Sequence, residues 1–245
     1  MTGTPLEVVP AAAFGQHVAG LLADRLADRP ELVVCLPTGS TPLPVYAVLP
    51  EVLARRGIGV GAGAATMVLL DEYLGLPAGH AARCDDVLRR RLLSKLDPSP
   101  ACITFGIDDA PADIACARMD AAVDAVGGLD LVVLGLGANG HVGMNEPGST
   151  AESRTRVVEL APSTRAASIG YGATDPPTHG VTLGLATILA AREIWLLATG
   201  AHKAKILAET LHGPVTAAVP ASLLRGHPRL RIVADEVAAT VAASG

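Results

Sequence analysis

Groups able to move protons and groups able to hold an anion recur directly after apolar runs of this chain. Asp71 and Glu72 follow the run Thr66 to Leu70 with no base beside them in sequence. A carboxylate partly desolvated at the rim of a site is raised toward the range useful to a general base, whereas a solvated surface acid does no such work. Asn139, His141, Asn145 and Glu146 crowd into a glycine-rich stretch after Leu129 to Leu134. Glycine lets backbone approach a ligand closely, and His and Glu exchange protons near neutral pH. The stretch Leu36-Pro37-Thr38-Gly39-Ser40-Thr41-Pro42 offers amides and three hydroxyls ahead of a helix. Pro42 would open that helix and Thr41 would cap it, an arrangement that binds an anion or only caps. Lys203 follows Thr199-Gly200 in the first turn of another helix. Lysine is unfavourable at the positive end of a helix unless an anion offsets the repulsion.

Gly135, Gly137 and Gly140 form the pattern G-x-G-x-x-G after an apolar run. In a dinucleotide site such a turn opens directly into a helix that holds the pyrophosphate. Here Gly143, Pro147 and Gly148 follow without a helical period, and the acid roughly 20 positions on is Glu159, at the end of an apparent strand. No dinucleotide site is expected.

The elements that must position these groups alternate. Strands are expected at Leu32 to Leu36, Thr66 to Leu70, Cys102 to Phe105, Leu129 to Leu134, Arg156 to Leu160, Glu193 to Ala198 and Arg229 to Val233. Helices are expected at Ala11 to Ala27, Pro42 to Arg55, Ala82 to Lys95, Ala112 to Val126, Leu183 to Ala190, His202 to Leu211 and Glu236 to Ala243. Parallel strands need crossovers, and strands continuous in Val, Leu and Ile suit burial on both sides. The expectation is an α/β fold: a doubly wound, mostly parallel, Rossmann-like sheet with helices on both faces. It spans 1–245 as one domain. The segment 161–180, weakest in periodicity, is either a lid over the site or an ordinary surface connection.

Composition narrows the partners. Only one Trp, three Tyr and two Phe are present, which disfavours aromatic stacking on nucleic acid. A net charge of −5, without a long run of either sign, argues against a polyanion and suits a small-molecule protein. Cys35, Cys84, Cys102 and Cys116 show neither a C-x-x-C pair nor ligand-like histidine spacing, so no disulfide framework, metal or other cofactor is expected. With no basic leader and no apolar run of membrane length, the expected location is the cytoplasm.

The segments LPTGSTP (36–42), LLDEYLGL (69–76), LGLGANGHVGMNEPGS (134–149), SRTRVV (153–158), VTLGLATIL (181–189), ATGAHKA (198–204) and VPASLL (219–224), in this order, resemble the glucosamine-6-phosphate deaminase (isomerase) family, relatives of the 6-phosphogluconolactonases. The resemblance implies a cofactor-free aldose–ketose isomerisation of an amino sugar phosphate with loss of ammonia. It places Asp71 as the base between C2 and C1, His141 as the residue that assists ring opening, and Glu146 and Asn139 as its partners. Asn139 stands where many members carry aspartate, so altered pH behaviour is expected. Thr38, Gly39, Ser40, Thr41 and Lys203 fall on the family's phosphate-binding segments, with Gly137 in the same loop as the histidine. Gly170 stands where members typically have an arginine that reaches the phosphate. Either Arg165 replaces it, or Lys203 and the Thr38–Thr41 loop hold the phosphate alone, in which case the preference for a phosphorylated over a free sugar is weak and an unphosphorylated substrate is an option. The chain ends soon after its last helix, and Val158 replaces a lysine of allosteric members, so control by an acetylated sugar phosphate is not expected; the sequence leaves the oligomeric state open, with a homo-oligomer as one option. A sugar lactonase with His141 as base and a non-catalytic sugar-phosphate-binding regulator are the alternatives.

Overall fold

The computed structural model describes residues 6–61 and 63–242. Its main sheet has seven parallel strands: β1 (Leu6–Val9), β2 (Val33–Leu36), β3 (Thr66–Leu69), β5 (Ala101–Ile103), β6 (Leu131–Gly135), β9 (Glu193–Ala198) and β10 (Leu230–Asp235), in the order β1-β10-β9-β6-β2-β3-β5. Central strands β2 and β9 are buried at every residue, which is why, Glu193 at the start of β9 apart, they are runs of Val, Leu, Ile, Cys, Ala and Trp rather than alternating patterns. The crossovers are α1 (Phe14–Asp28), α2 (Leu43–Arg56), α3 (Cys84–Arg91), α4 (Ala112–Ala125), α6 (Leu185–Leu189) and α7 (Ala204–His212), with α5 (Pro162–Ile169) preceding α6. From β1 to β5 the chain moves one way across the sheet, and from β5 to β10 it moves back. Right-handed crossovers therefore set α1, α2 and α3 on one face and α4 and α7 on the other. The two directions part between the neighbours β2 and β6. In an open sheet, ligands bind at the carboxyl ends of strands at such a switch point.

A second sheet, antiparallel and of three strands, was not anticipated: β4 (Asp71–Tyr73), β8 (His179–Thr182) and β7 (Arg156–Glu159), in the order β4-β8-β7. The expected strand at 156–160 thus lies outside the main sheet. Asp71-Glu72-Tyr73, read as a loop, leaves β3 after Leu70 and pairs Asp71 with Thr182. The segment 161–180 contains α5 and the start of β8. Over Glu236 to Ala242 the expected helix is replaced by turns, with only Ala242 in a 3-10 conformation; Ala243 lies outside the described residues. Thr41 does not cap α2. Pro42 occupies the cap without a side-chain hydrogen bond, and the Leu43 amide donates to the Ser40 carbonyl at 3.3 Å. No described helix is long and apolar enough to cross a membrane, and no group of three or more metal-ligating side chains occurs among the described residues.

Candidate active site

A cavity of about 320 Å³ opens at the switch point. The loop after β2 brings Thr38, Gly39, Ser40 and Thr41 to it, the loop after β6 brings Gly137 and His141, β4 brings Asp71, and the turn after β9 brings Lys203. Gly137 is where the glycine pattern is explained. A Cβ there would lie 2.4 Å from the His141 ring, so the imidazole lies flat against its backbone. The chain then turns into a bridge between Val142 and Asn145 rather than a helix, and no dinucleotide cradle forms.

Alternate residues of a strand face opposite ways, which separates the two acids of β4. Asp71 and Tyr73 line the cavity. Glu72 points away, its carboxylate accepting from the amides of Tyr73 (2.7 Å), Cys84 (2.9 Å) and Asp85 (3.0 Å), and so it caps α3 from outside the helix. Arg83, as buried as Glu72, lies 3.4 Å from it and donates to Asp108 and Asp85. Glu72 is therefore a structural anchor, and Asp71 alone is free for chemistry. Burial raises the Asp71 carboxyl to about 6, against the opposing influence of the His141 charge and a hydrogen bond from Cys84. Gly143 permits this packing: its φ is +57°, and a Cβ would sit 2.9 Å from Thr182 Oγ1 and 3.4 Å from Asp71 Oδ2.

Behind His141 lies a chain of carboxylate, amide and imidazole. Nδ1 is 2.7 Å from Asn139 Oδ1, while Asn139 Nδ2 donates to Glu146 Oε2 at 2.8 Å. Thr164 Oγ1 at 3.3 Å and Glu146 Oε2 at 3.4 Å also face Nδ1. An acceptor-rich surrounding assigns the proton to Nδ1 and leaves Nε2 as the nitrogen able to exchange protons with a ligand. Burial alone would raise the Glu146 carboxyl, but hydrogen bonds to His141, Thr164 and Asn139, with the His141 charge, hold it down at about 2. Asn139 and Glu146 do not line the cavity; they act on it through His141. Asn145, fully buried, is a bolt: Nδ2 donates to the carbonyls of Val142 (3.1 Å) and Leu183 (2.9 Å), and Oδ1 accepts from Arg156 (3.0 Å).

The anion-binding groups meet at the other end of the cavity. Tyr46 Oη donates to the Pro37 carbonyl and fixes the start of the loop. Among the described residues the amides of Gly39 and Thr41 meet no acceptor. Asp235, at the end of β10, accepts from the Gly200 amide and holds the turn that carries Lys203. Burial lowers the Lys203 ammonium, and no carboxylate reaches it to raise it again. Arg165 does not line the cavity, and among the described residues its Nε is buried without a hydrogen-bond partner. Thr164, Tyr171 and Cys84, which sequence reasoning did not single out, do line it. The signal of Thr164 was faint, since α5 is built from Pro, Ser, Thr, Arg, Ala and Ile with little apolar period; Cys84 opens α3, and Tyr171 lies in the turn after α5.

Comparison with known proteins bears on the family and the fold. The sequence is 41% identical over 231 residues to the glucosamine-6-phosphate deaminase of Pseudarthrobacter chlorophenolicus, covering 93% of this chain and 88% of that one. It is 42% identical over 239 residues to the enzyme of the same name from Streptomyces avermitilis, covering 95% and 90%. The fold superposes on a solved monomeric glucosamine-6-phosphate deaminase with a TM-score of 0.90 at 30% identity, covering 96% of this chain and 99% of that one. On a 6-phosphogluconolactonase from Trypanosoma cruzi the TM-score is 0.76 at 22% identity, a likeness of fold, covering 98% and 97%. Residues 7–232 match the family described as glucosamine-6-phosphate isomerases/6-phosphogluconolactonase, and the chain belongs to that family.

Proposed function

We propose that this protein is an amino-sugar-phosphate deaminase that converts glucosamine 6-phosphate and water to fructose 6-phosphate and ammonia. The observation that carries the reading is the convergence, on one cavity, of a buried carboxylate raised to about 6, an imidazole backed by an ionised carboxylate, and an anion-binding end with an unpaired ammonium. His141 Nε2 exchanges the proton that opens the pyranose ring. Its Nδ1 stays directed at Asn139 and Glu146, so the positive charge it gains is stabilised at once. Asp71 then takes the proton from C2 of the open chain as O1 gains one, which gives the enolamine, and delivers it to C1 as the nitrogen lone pair forms the C2–N double bond. This leaves a ketimine at C2 that water hydrolyses with release of ammonia. Each bond broken, C1–O5 at ring opening and C2–N at ammonia loss, is broken as a proton reaches the leaving oxygen or nitrogen, so proton transfer and addition of water suffice.

The test is ammonia release from glucosamine 6-phosphate, set against acid release from 6-phosphogluconolactone. Turnover of the amino sugar with the lactone inert supports the reading; the reverse makes the protein a lactonase with His141 as base. Binding of either compound without turnover would leave a sugar-phosphate-binding regulator. Asp71→Asn is expected to lower kcat by roughly 10²- to 10⁴-fold with little effect on substrate affinity, because the base acts mainly in the transition state.

A further inference from the structure

No arginine lines the cavity among the described residues, and Lys203 is the only lysine there. The segment 161–180 adds a different donor. α5 runs on into a turn in which the Tyr171 amide bonds to the Ser168 carbonyl, so Thr164, Ala167 and Tyr171 share the face that looks into the cavity. At the anion loop the Ser40 amide donates to Tyr171 Oη at 2.9 Å. The phenol also lies against Gly39, where an ideal Cβ would be 3.7 Å from the same oxygen.

A phenol that accepts one hydrogen bond still has its own proton to give, and Tyr171 Oη has no acceptor of its own among the described residues. Acceptance from a backbone amide polarises the O–H and makes it a better donor. The neighbouring Gly39 and Thr41 amides and the Lys203 ammonium are unpaired and border the same space. We propose that Tyr171 is a specificity-determining residue for the anionic end of the substrate: its oxygen is held by the Ser40 amide, and its O–H donates to a phosphate oxygen seated between the Gly39–Thr41 loop and Lys203. This rests on reading the cavity as a sugar-phosphate site and adds the group through which α5 recognises the phosphate. The same contact fastens the segment 161–180 to the loop, while Thr164 fastens it to His141 at 3.3 Å. Residues 164–171 thus reach both the anion loop and the imidazole, while each end keeps its own supports.

Titration of inorganic phosphate into the unmodified full-length protein and into Tyr171→Phe, followed by calorimetry, tests the assignment without any turnover. The substitution keeps the ring and removes only the hydroxyl. The dissociation constant is expected to rise about tenfold, the low end for a hydrogen bond to a charged group. Lys203→Ala, measured in parallel, is expected to weaken phosphate at least as much. A constant within twofold of the unmodified protein overturns the proposal. So does tighter binding, which would mean that the hydroxyl occupies an amide that phosphate would otherwise take. Failure of the unmodified protein to bind phosphate overturns it as well. Lack of ammonia release counts against the deaminase reading and leaves the Tyr171 assignment to the titration alone.

Discussion

Burial that raises the Asp71 carboxyl to about 6 makes it a competent base near neutral pH and also a burden on the fold. As a base it must be ionised, so kcat/KM should fall tenfold per pH unit below about 6, as a pH–rate profile would record. Glu146, held at about 2, stays ionised throughout and cannot cause that limb. The Cys84 hydrogen bond is one of the influences keeping Asp71 from rising further. Cys84→Ala should therefore move the acid limb to higher pH while kcat at its plateau changes little; an unmoved limb would remove Cys84 from the positioning of the base. The burden follows from linkage. A carboxyl raised from 3.8 to about 6 in the folded state costs on the order of 3 kcal/mol above pH 6, and the cost disappears as pH falls below its ordinary value. Asp71→Asn should accordingly raise the thermal unfolding midpoint at pH 8 and scarcely at pH 4. Equal midpoints at pH 8 would mean that Asp71 is not desolvated as described.

At the scale of elements, the loop after β6 shows how far the sequence was legible. The apolar run ending at Leu134, the glycines and the polar cluster identified a site without a helix, and the structure places His141 there. What could not be read was the job of each glycine. Gly137 is required by the ring of a residue four positions on, a contact that no periodicity encodes. Gly137→Ala should leave the sheet intact but push the imidazole off Asn139, costing about 1–3 kcal/mol in stability. It should slow turnover of closed-ring substrate more than that of an analogue fixed in the open chain; equal slowing would detach the ring position from ring opening. The second sheet was missed for a related reason. Asp71-Glu72-Tyr73 and His179-Gly180-Val181-Thr182 have weak strand character alone and form a ladder only because each meets the other in the folded chain. Strands buried on both sides were legible because their apolar character is local.

Across the whole molecule, the site lies where two sheets meet. The main sheet carries the anion loop on β2 and the imidazole loop on β6, on either side of the point where the winding reverses. The small sheet carries the base on β4. Asn145 joins them, since its amide binds the β6 loop at Val142, the end of β8 at Leu183 and Arg156 of β7. Asn145→Ala removes three hydrogen bonds, although the Val142 carbonyl keeps the backbone amide of residue 145, the Leu183 carbonyl keeps Thr182 Oγ1 and Arg156 keeps Ser149 and the Arg154 carbonyl, so the loss is about 0.5–1.5 kcal/mol for each bond. The mutant should remain folded at 25 °C with a lowered unfolding midpoint. Because Asp71 and His141 belong to different sheets, loosening the bolt should upset their relative position and lower kcat tenfold or more. The anion loop is held independently by Tyr46 and the turn after β9 by Asp235, neither of which touches Asn145. Inorganic phosphate should therefore bind the mutant with nearly unchanged affinity. If phosphate weakens in step with kcat, the two ends of the cavity are not independently supported, and the division of labour between the sheets is wrong.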